Sequence, residues 1–364
     1  MRRYKITMKL LSPVHIGTGE DFEPLNYVID EAEKADGTTG KYLFGFDEMK
    51  FFTALDDTSK QQFSTLAGSN YFALHKFIKS KKLTARNIAS LRIPVDAEIF
   101  NDYNTALGEV RQFEGNGNKK FNEFRIAKTF TNPNSNKAII PGSSIKGALL
   151  TAFAEHLCYK NPNFEKMKNN EKIDFWKRQI EPKLLKPSND NIFRSVLLSD
   201  SLPFEMSRIV GLINVSRNKD AQGLSTRAQV ITRQESSFEL AFDDKYIQNP
   251  PSMAEIASAC NEHYLSLFCS YLDDKSSQKY IKSDFLKLCE KYDKEPLAKN
   301  QFLIRIGQHS GARAVTVDGI REITILQGKG KSPRKSDEET TFWVTKNGKM
   351  PLGWVLCSYE ELKD

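Results

Sequence analysis

The chain has 364 residues, 39% of them hydrophobic and 27% charged, with a formal net charge of +7. That length and composition allow a large buried core and exclude a disordered chain, and the basic balance permits phosphate neutralisation without requiring it. No stretch approaches the roughly 20 apolar residues of a membrane span, the N-terminus does not read as a signal peptide, and five scattered cysteines with no Cys-x-x-Cys pair argue against a disulfide scaffold or zinc site and for a reducing cytoplasm.

Tyr4, Ile6, Met8 and Leu10 alternate with Arg3, Lys5, Thr7 and Lys9, which predicts a first strand with one buried face. The segment Val14-His15-Ile16-Gly17-Thr18-Gly19 follows. Its glycines, Gly17 and Gly19, allow a turn whose exposed N–H groups could cradle an anion. His15 could stack on a base or move a proton, although a histidine between Val and Ile also suits a hydrogen-bonded core position. Tyr27–Asp30 and Lys41–Phe46 read as paired strands about Asp36-Gly37, with a helix from Asp47 to Leu55 and a helical stretch over 60–92. From Phe100 to Asn136 the chain is polar and reads as an excursion, with a strand near Phe124–Phe130.

Ile139-Ile140-Pro141-Gly142-Ser143-Ser144-Ile145-Lys146-Gly147 runs from apolar residues through a turn into a helix. Ile145, Ala148, Leu149, Ala152, Phe153 and Leu157 form one helical stripe. Lys146 in the first turn opposes the positive end of the helix dipole. A bound phosphate would explain it, because free N–H groups, the hydroxyls of Ser143 and Ser144 and an ammonium would converge there. The ordinary alternative is a capped helix with a solvated lysine. A nucleotide P-loop is excluded, since Ala148 stands where that motif needs its lysine.

Further on, Ile173–Ile180 reads as helical and Val196–Ser201 as a short apolar strand ending in turn residues. Two more strands are expected at Arg208–Asn214 and Val230–Phe242, flanking a basic tip from Arg217 through Lys219 to Arg227, with Arg233 just beyond. Pro250 to Tyr292 reads as helices. Phe302–Ile306 then leads into Gly307-Gln308-His309-Ser310-Gly311-Ala312-Arg313, where small residues admit close approach and Arg305 and Arg313 flank the turn. A hairpin across Asp318-Gly319 joins Ala314–Val317 to Ile320–Leu326, and Gly353–Cys357 closes the chain as a strand. The irregular alternation fits an α+β, ferredoxin-like (RRM-like) class better than a doubly wound sheet. Two such units are expected, residues 1–200 and 201–364, each with helical insertions.

The His15-Ile16-Gly17-Thr18-Gly19 and Ile140-Pro141-Gly142-Ser143-Ser144-Ile145-Lys146-Gly147 strings and the late Gly-x-x-Ser-Gly turn resemble the RAMP superfamily of CRISPR-associated RNA-binding proteins. Within it, Leu25–Asp30 and the closing Pro351-Leu352-Gly353-Trp354-Val355 look like the filament-end Csm subunit of type III-A interference complexes. The resemblance implies a modified RRM-like fold binding CRISPR guide RNA, and target RNA with it, near the guide's 3′ end. It also implies contacts with the neighbouring backbone subunit and the small subunit of the Csm complex, no cofactor or metal, no membrane, and no catalytic residues. Gly142, Ser143, Ser144 and Lys146, with the loops at His15–Gly19 and Gly307–Arg313, match the superfamily's RNA-contacting motifs. Gln308-His309 departs from the more glycine-rich pattern of relatives, and the RRM stacking signature is absent.

Two enzymatic alternatives stand beside this reading. In related backbone subunits an aspartate soon after the His-Ile-Gly segment supports metal-dependent target cleavage, and Asp30 falls near that spacing. A metal-independent RNA-processing nuclease would instead use His15 or His309 as general acid or base. Neither His15 nor His309 has a second histidine or a lysine close by in sequence to act as its proton-transfer partner.

Overall fold

The computed structural model describes residues 1–363 except 69–70, 109–111, 114–118, 121–123, 186–190, 218–221, 244, 246–249, 326–329 and 331. Strand β1 (Arg2–Leu10) buries Tyr4, Ile6, Met8 and Leu10 and exposes Arg3, Lys5 and Lys9, as its alternation requires. After a crossing segment come β2 (Gly17–Phe22) and the hairpin of β3 (Tyr27–Glu33) with β4 (Thr39–Gly45). Helices α1 (Glu48–Ala54) and α2 (Asp57–Ala67) are capped by the carboxylates of Asp47 and Asp56. Next are α3 (Tyr71–Ser80) and α4 (Lys82–Ile88), then a strand, β5 (Leu91–Pro94). The helical stretch expected over 60–92 is therefore three helices and a strand. Pairing of β5 with β4 overrides local helical preference there.

The expected polar excursion opens with a helix, α5 (Ala97–Gly108), anchored by buried Ile99 and Tyr103 one turn apart. A two-residue pair, β6 (Gln112–Phe113) with β7 (Lys119–Lys120), precedes β8 (Ile126–Thr129). The long α6 (Gly142–Tyr159) buries the predicted stripe except for Leu157, which is half-buried, and is followed by α7 (Asn169–Phe175), α8 (Glu181–Leu184) and β9 (Val196–Leu198). The two strands expected around the basic tip are three: β10 (Ser207–Ser216), β11 (Gln222–Ile231) and β12 (Glu235–Phe242). Ser225, Thr226 and Arg227 already belong to the ladder, paired with Ile213, Leu212 and Gly211, so the tip is shorter than its composition suggests.

Helices α9 (Met253–Cys269), α10 (Lys275–Gln278) and α11 (Ser283–Lys294) lead to β13 (Gln301–Arg305). The hairpin expected at Asp318-Gly319 is not formed. Arg313–Val315 is instead a 3-10 turn, tied by the Arg313 N–H to the Glu339 carboxylate, and β14 (Ile323–Ile325) pairs with β15 (Arg334–Ser336). Long-range partners displaced the local turn signal. β16 (Thr341–Thr345) and β17 (Trp354–Leu362) complete the chain.

Two five-stranded sheets organise these elements. The first has the order β13-β17-β1-β12-β9, and every pairing in it is antiparallel. Its run β17-β1-β12-β9, with α6 between β1 and β9 and α9 between β12 and β17, is the ferredoxin-like split βαβ arrangement. The second, β16-β10-β11-β8-β2, contains one parallel pairing, β8 with β11. Both sheets draw strands from either side of residue 200, so the boundary expected there does not separate them. Strands β3, β4 and β5 form a third sheet carrying α1–α4. One core joins α6 and α9 to the first sheet and to Ile213, Ile231 and Val344 of the second. Among the described residues no helix is long and apolar enough to cross a membrane.

Candidate nucleic-acid interface

The chain crosses from the first sheet to the second at Ser12–Ile16, and that crossing gathers the predicted motifs. Ser12 and Leu11 donate to the Trp354 carbonyl, Gly353 donates to the Pro13 carbonyl, and Val14 pairs with Ile231. The turn after β13 closes against the same segment, with the Gln308 N–H donating to the His15 carbonyl at 2.8 Å. Gly307 and Gly311 both have φ 89° and His309 has φ 68°, which folds the turn tightly enough to lie there. A Cβ on Gly307 would collide with the His15 carbonyl oxygen, and one on Gly17 with the Gln308 side chain.

The same ladder extends to the long helix. Ile16 donates to Thr129 Oγ1 at 3.0 Å, Phe130 donates to the Ile16 carbonyl, and Ile139 to the Phe130 carbonyl. Three segments separated by more than a hundred residues thus converge, with Gly17, Thr18, Gly19 and Gln308 exposed along the rim. Such a rim of glycines and short polar side chains admits a sugar–phosphate strand closely, in contacts that carry no base information.

His15 is fully buried, and its Nδ1 donates to the Gln229 carbonyl at 2.8 Å. Its ring stacks on His309 at 6.2 Å, and His309 in turn lies 4.4 Å from the Trp343 ring. Burial lowers the pKa of His15, and burial with the neighbouring His15 holds His309 down at about 4. Both shifts favour the neutral imidazole. The tertiary fold makes the His–His pair that the sequence spacing did not show, yet His15 has no surface with which to reach a scissile phosphate.

At the start of α6 the expected anion site is occupied by the protein itself. The Gly142 N–H donates to Asp200 Oδ1 at 2.8 Å, and Lys146 Nζ donates to the Val196 carbonyl at 2.8 Å. Burial lowers the Lys146 pKa. Gly142 packs so closely that a Cβ would lie 2.8 Å from the Ser199 carbonyl oxygen. Ser143 remains exposed and Ser144 half-buried. Lys146→Met is therefore expected to lower stability by roughly 1–2 kcal/mol, contrary to a purely solvated lysine. Urea unfolding checks this: unchanged stability with weakened RNA binding would mean that the ammonium serves phosphate, not Val196.

Several predicted cations are committed elsewhere. Arg305 is 3% exposed, donates through Nε to the Leu352 carbonyl and stacks on Trp354 at 5.0 Å, so it is part of the core. Arg217 is held between Asp274 at 3.4 Å and Glu339 at 3.3 Å, with its guanidinium over the Phe342 ring, so its charge is already partnered. Glu339 also fixes the Arg313 backbone, while the Arg313 guanidinium lies 3.9 Å from Glu338. Arg227 stacks 3.7 Å from the Phe124 ring centroid. Ser310 is buried, Arg233 is exposed, and Lys219 lies outside the described residues.

The open face of the first sheet does not offer the stacking platform of an RRM. Its cations pair across strands, Arg3 with Glu239, Lys5 with Glu360 and Lys9 with Glu235. Asp30, the candidate metal ligand, is 6% exposed and gives one oxygen to Lys82 at 2.9 Å and the other to Arg86 at 3.0 Å. Among the described residues no group of three or more His, Cys, Asp or Glu side chains could hold a metal ion. Sequence reasoning missed Thr129, Gln229, Trp343, Asp200 and Glu339. Each acts on a partner at least 26 residues away, so no local signal marks it.

Residues 7–212 match the family described as the RAMP superfamily. A curated protein of Streptococcus thermophilus named "CRISPR system Cms protein Csm5" is 24% identical over 374 residues, covering 97% of this chain and 91% of that one. A protein of the same name from Methanocaldococcus jannaschii is 29% identical over 208 residues, 55% of this chain and 43% of its own. Among solved structures, a chain of the cryo-EM Csm–crRNA–target RNA ternary complex of a type III-A CRISPR-Cas system superposes with a TM-score of 0.67 at 14% identity, covering 98% of this chain and all of that one. The crystal structure of T. onnurineus Csm5 gives 0.59 at 13% identity, over 96% and 99%. At such identities the solved structures speak for the fold.

Proposed function

Because this chain belongs to the RAMP superfamily, we propose that it is a non-catalytic subunit of a type III-A Csm complex that binds guide RNA and caps the backbone filament near the guide's 3′ end. The observation that carries this reading is the convergence of His15–Gly19, the approach to α6 and Gly307–Gly311 on one crossover. The near full-length likeness to one relative named Csm5 supports the choice of subunit. The neighbouring backbone subunit, the small subunit and target RNA are the partners this position implies.

The non-catalytic part of the proposal follows from chemistry. Phosphodiester cleavage needs a metal held by several oxygens or a paired acid and base at the scissile phosphate. Asp30 is clamped by two cations and His15 is sealed in the core. Complexes reconstituted on guide RNA with and without this chain test both parts. Nuclease protection at the guide's 3′ end is expected only when the chain is present, and Asp30→Asn complexes are expected to cut target RNA at unchanged positions. Equal protection without the chain, or a cut lost with Asp30→Asn in an intact assembly, would overturn the reading.

A further inference from the structure

The longest stretch of the sequence without an acidic residue lies away from the crossover, on the unit of β3, β4, β5 and α1–α4. Between Asp57 and Asp96 the sequence has no acidic residue and seven lysines and arginines, as many as the whole chain's formal net charge of +7. Folding concentrates them. Lys76 and Lys79 are one turn apart on α3, and Lys82 and Arg86 one turn apart on α4, so each pair shares a helix face. The buried Asp30 carboxylate fixes the Lys82 and Arg86 heads side by side. Burial lowers the Lys79 pKa, with Lys82 and Lys76 adding repulsion that Asp30 only partly offsets.

Flat rings back the same surface. The Arg92 guanidinium lies 3.9 Å from the Tyr42 ring centroid, and that of Arg86 lies 5.3 Å from Phe44. Stacking of this kind holds a guanidinium in place while leaving N–H groups at its edge for phosphate. Lys79, Lys82 and Arg86 gather around the Asp30 carboxylate with Lys76 beside Lys79; these cations repel one another in the free protein, and a polyanion relieves that repulsion. Because Asp30 pre-orders two of the heads, less side-chain freedom is lost when phosphate arrives.

We propose that the α3–α4 surface is a second RNA-binding surface, holding successive phosphates of a single strand through Lys76, Lys79, Lys82 and Arg86, with Asp30 as the residue that positions them. This rests on the RNA-binding reading above and adds to it a location outside the superfamily-like strings. The test uses the full chain and a labelled oligouridine titrated across a salt series. Lys76→Gln/Lys79→Gln/Lys82→Gln is expected to weaken binding roughly tenfold or more and to flatten the salt slope by roughly two, since each phosphate of a single strand left without its cation takes about 0.7 from the slope. The corresponding triple arginine variant should retain both affinity and slope, and unchanged melting would show the fold intact. Should the triple glutamine variant melt early, Lys82→Gln alone at its exposed position should still flatten the slope by about 0.7. Wild-type affinity and slope in the glutamine variants overturn this inference and leave the guide-RNA reading standing. No RNA binding by the wild type overturns both. Loss of polyglutamate binding with RNA binding intact assigns the surface to an acidic protein and overturns the inference.

Discussion

Replacing Gly307 with alanine is expected to destabilise the protein by roughly 3 kcal/mol or more, the largest effect of any single methyl group added to the candidate interface. Two effects add at this position. The backbone sits at φ 89°, a region alanine adopts only with strain, and the new Cβ would collide with the His15 carbonyl oxygen. That oxygen accepts the Gln308 N–H, so relief by movement separates the turn from the sheet crossover. Gly19→Ala is the control, with φ 82° but no atom within 4 Å of the added Cβ. It should lose only about 1 kcal/mol from backbone strain. Urea unfolding of both variants decides the matter: equal losses would show that the close approach of Gly307 to His15 yields freely. RNA affinity should fall with Gly307→Ala at temperatures where the rest of the chain is still folded.

Stability should also fall steeply on mild acidification. His75 is buried against Tyr103, and desolvation, with Lys79 nearby, holds its pKa at about 4; His309 is held at about 4 by burial and by His15. An imidazole whose folded pKa lies below its unfolded value of about 6.5 refuses a proton that the unfolded chain accepts. Its contribution is therefore complete above pH 6.5 and is lost progressively as pH falls toward 4. Between pH 7.5 and 5 the loss should be about 2 kcal/mol for His75 and somewhat less for His309, which keeps some solvent exposure. His75→Phe should abolish its share, so that urea midpoints at the two pH values move closer together than in the wild type. Identical pH dependence in wild type and variant would show that His75 is protonated freely in the folded state.

Much of the scaffold was legible before folding. β1 announced itself by strict alternation, α6 by its apolar stripe, and the β3–β4 hairpin by Asp36-Gly37, because in each case the element's own side chains state which face is buried. The motif strings also located the crossover, since glycine is required at Gly307, where an added Cβ would meet the His15 carbonyl oxygen of the facing backbone. Where local signals misled, a distant partner was the reason. Asp318-Gly319 is an excellent hairpin signal, yet Glu339 ties Arg313 into a 3-10 turn and β14 takes β15 as its mate. Ser90–Arg92 reads as the tail of a helix until β4 supplies an edge for it.

The sequence by itself determined the α+β class, the strands and helices with their own periodicity, the three glycine-bearing segments and the chain's basic character. Only the tertiary structure decided which charges are free to act. Arg305 and Arg217 looked like phosphate ligands, but a tryptophan face and two carboxylates 57 and 122 residues away absorb them. Asp30 looked like a metal ligand, but Lys82 and Arg86, 52 and 56 residues on, take both of its oxygens. The physical reason is the same in each case. A side chain's charge is written in its own residue, whereas its availability depends on burial and on partners that chain order does not bring near.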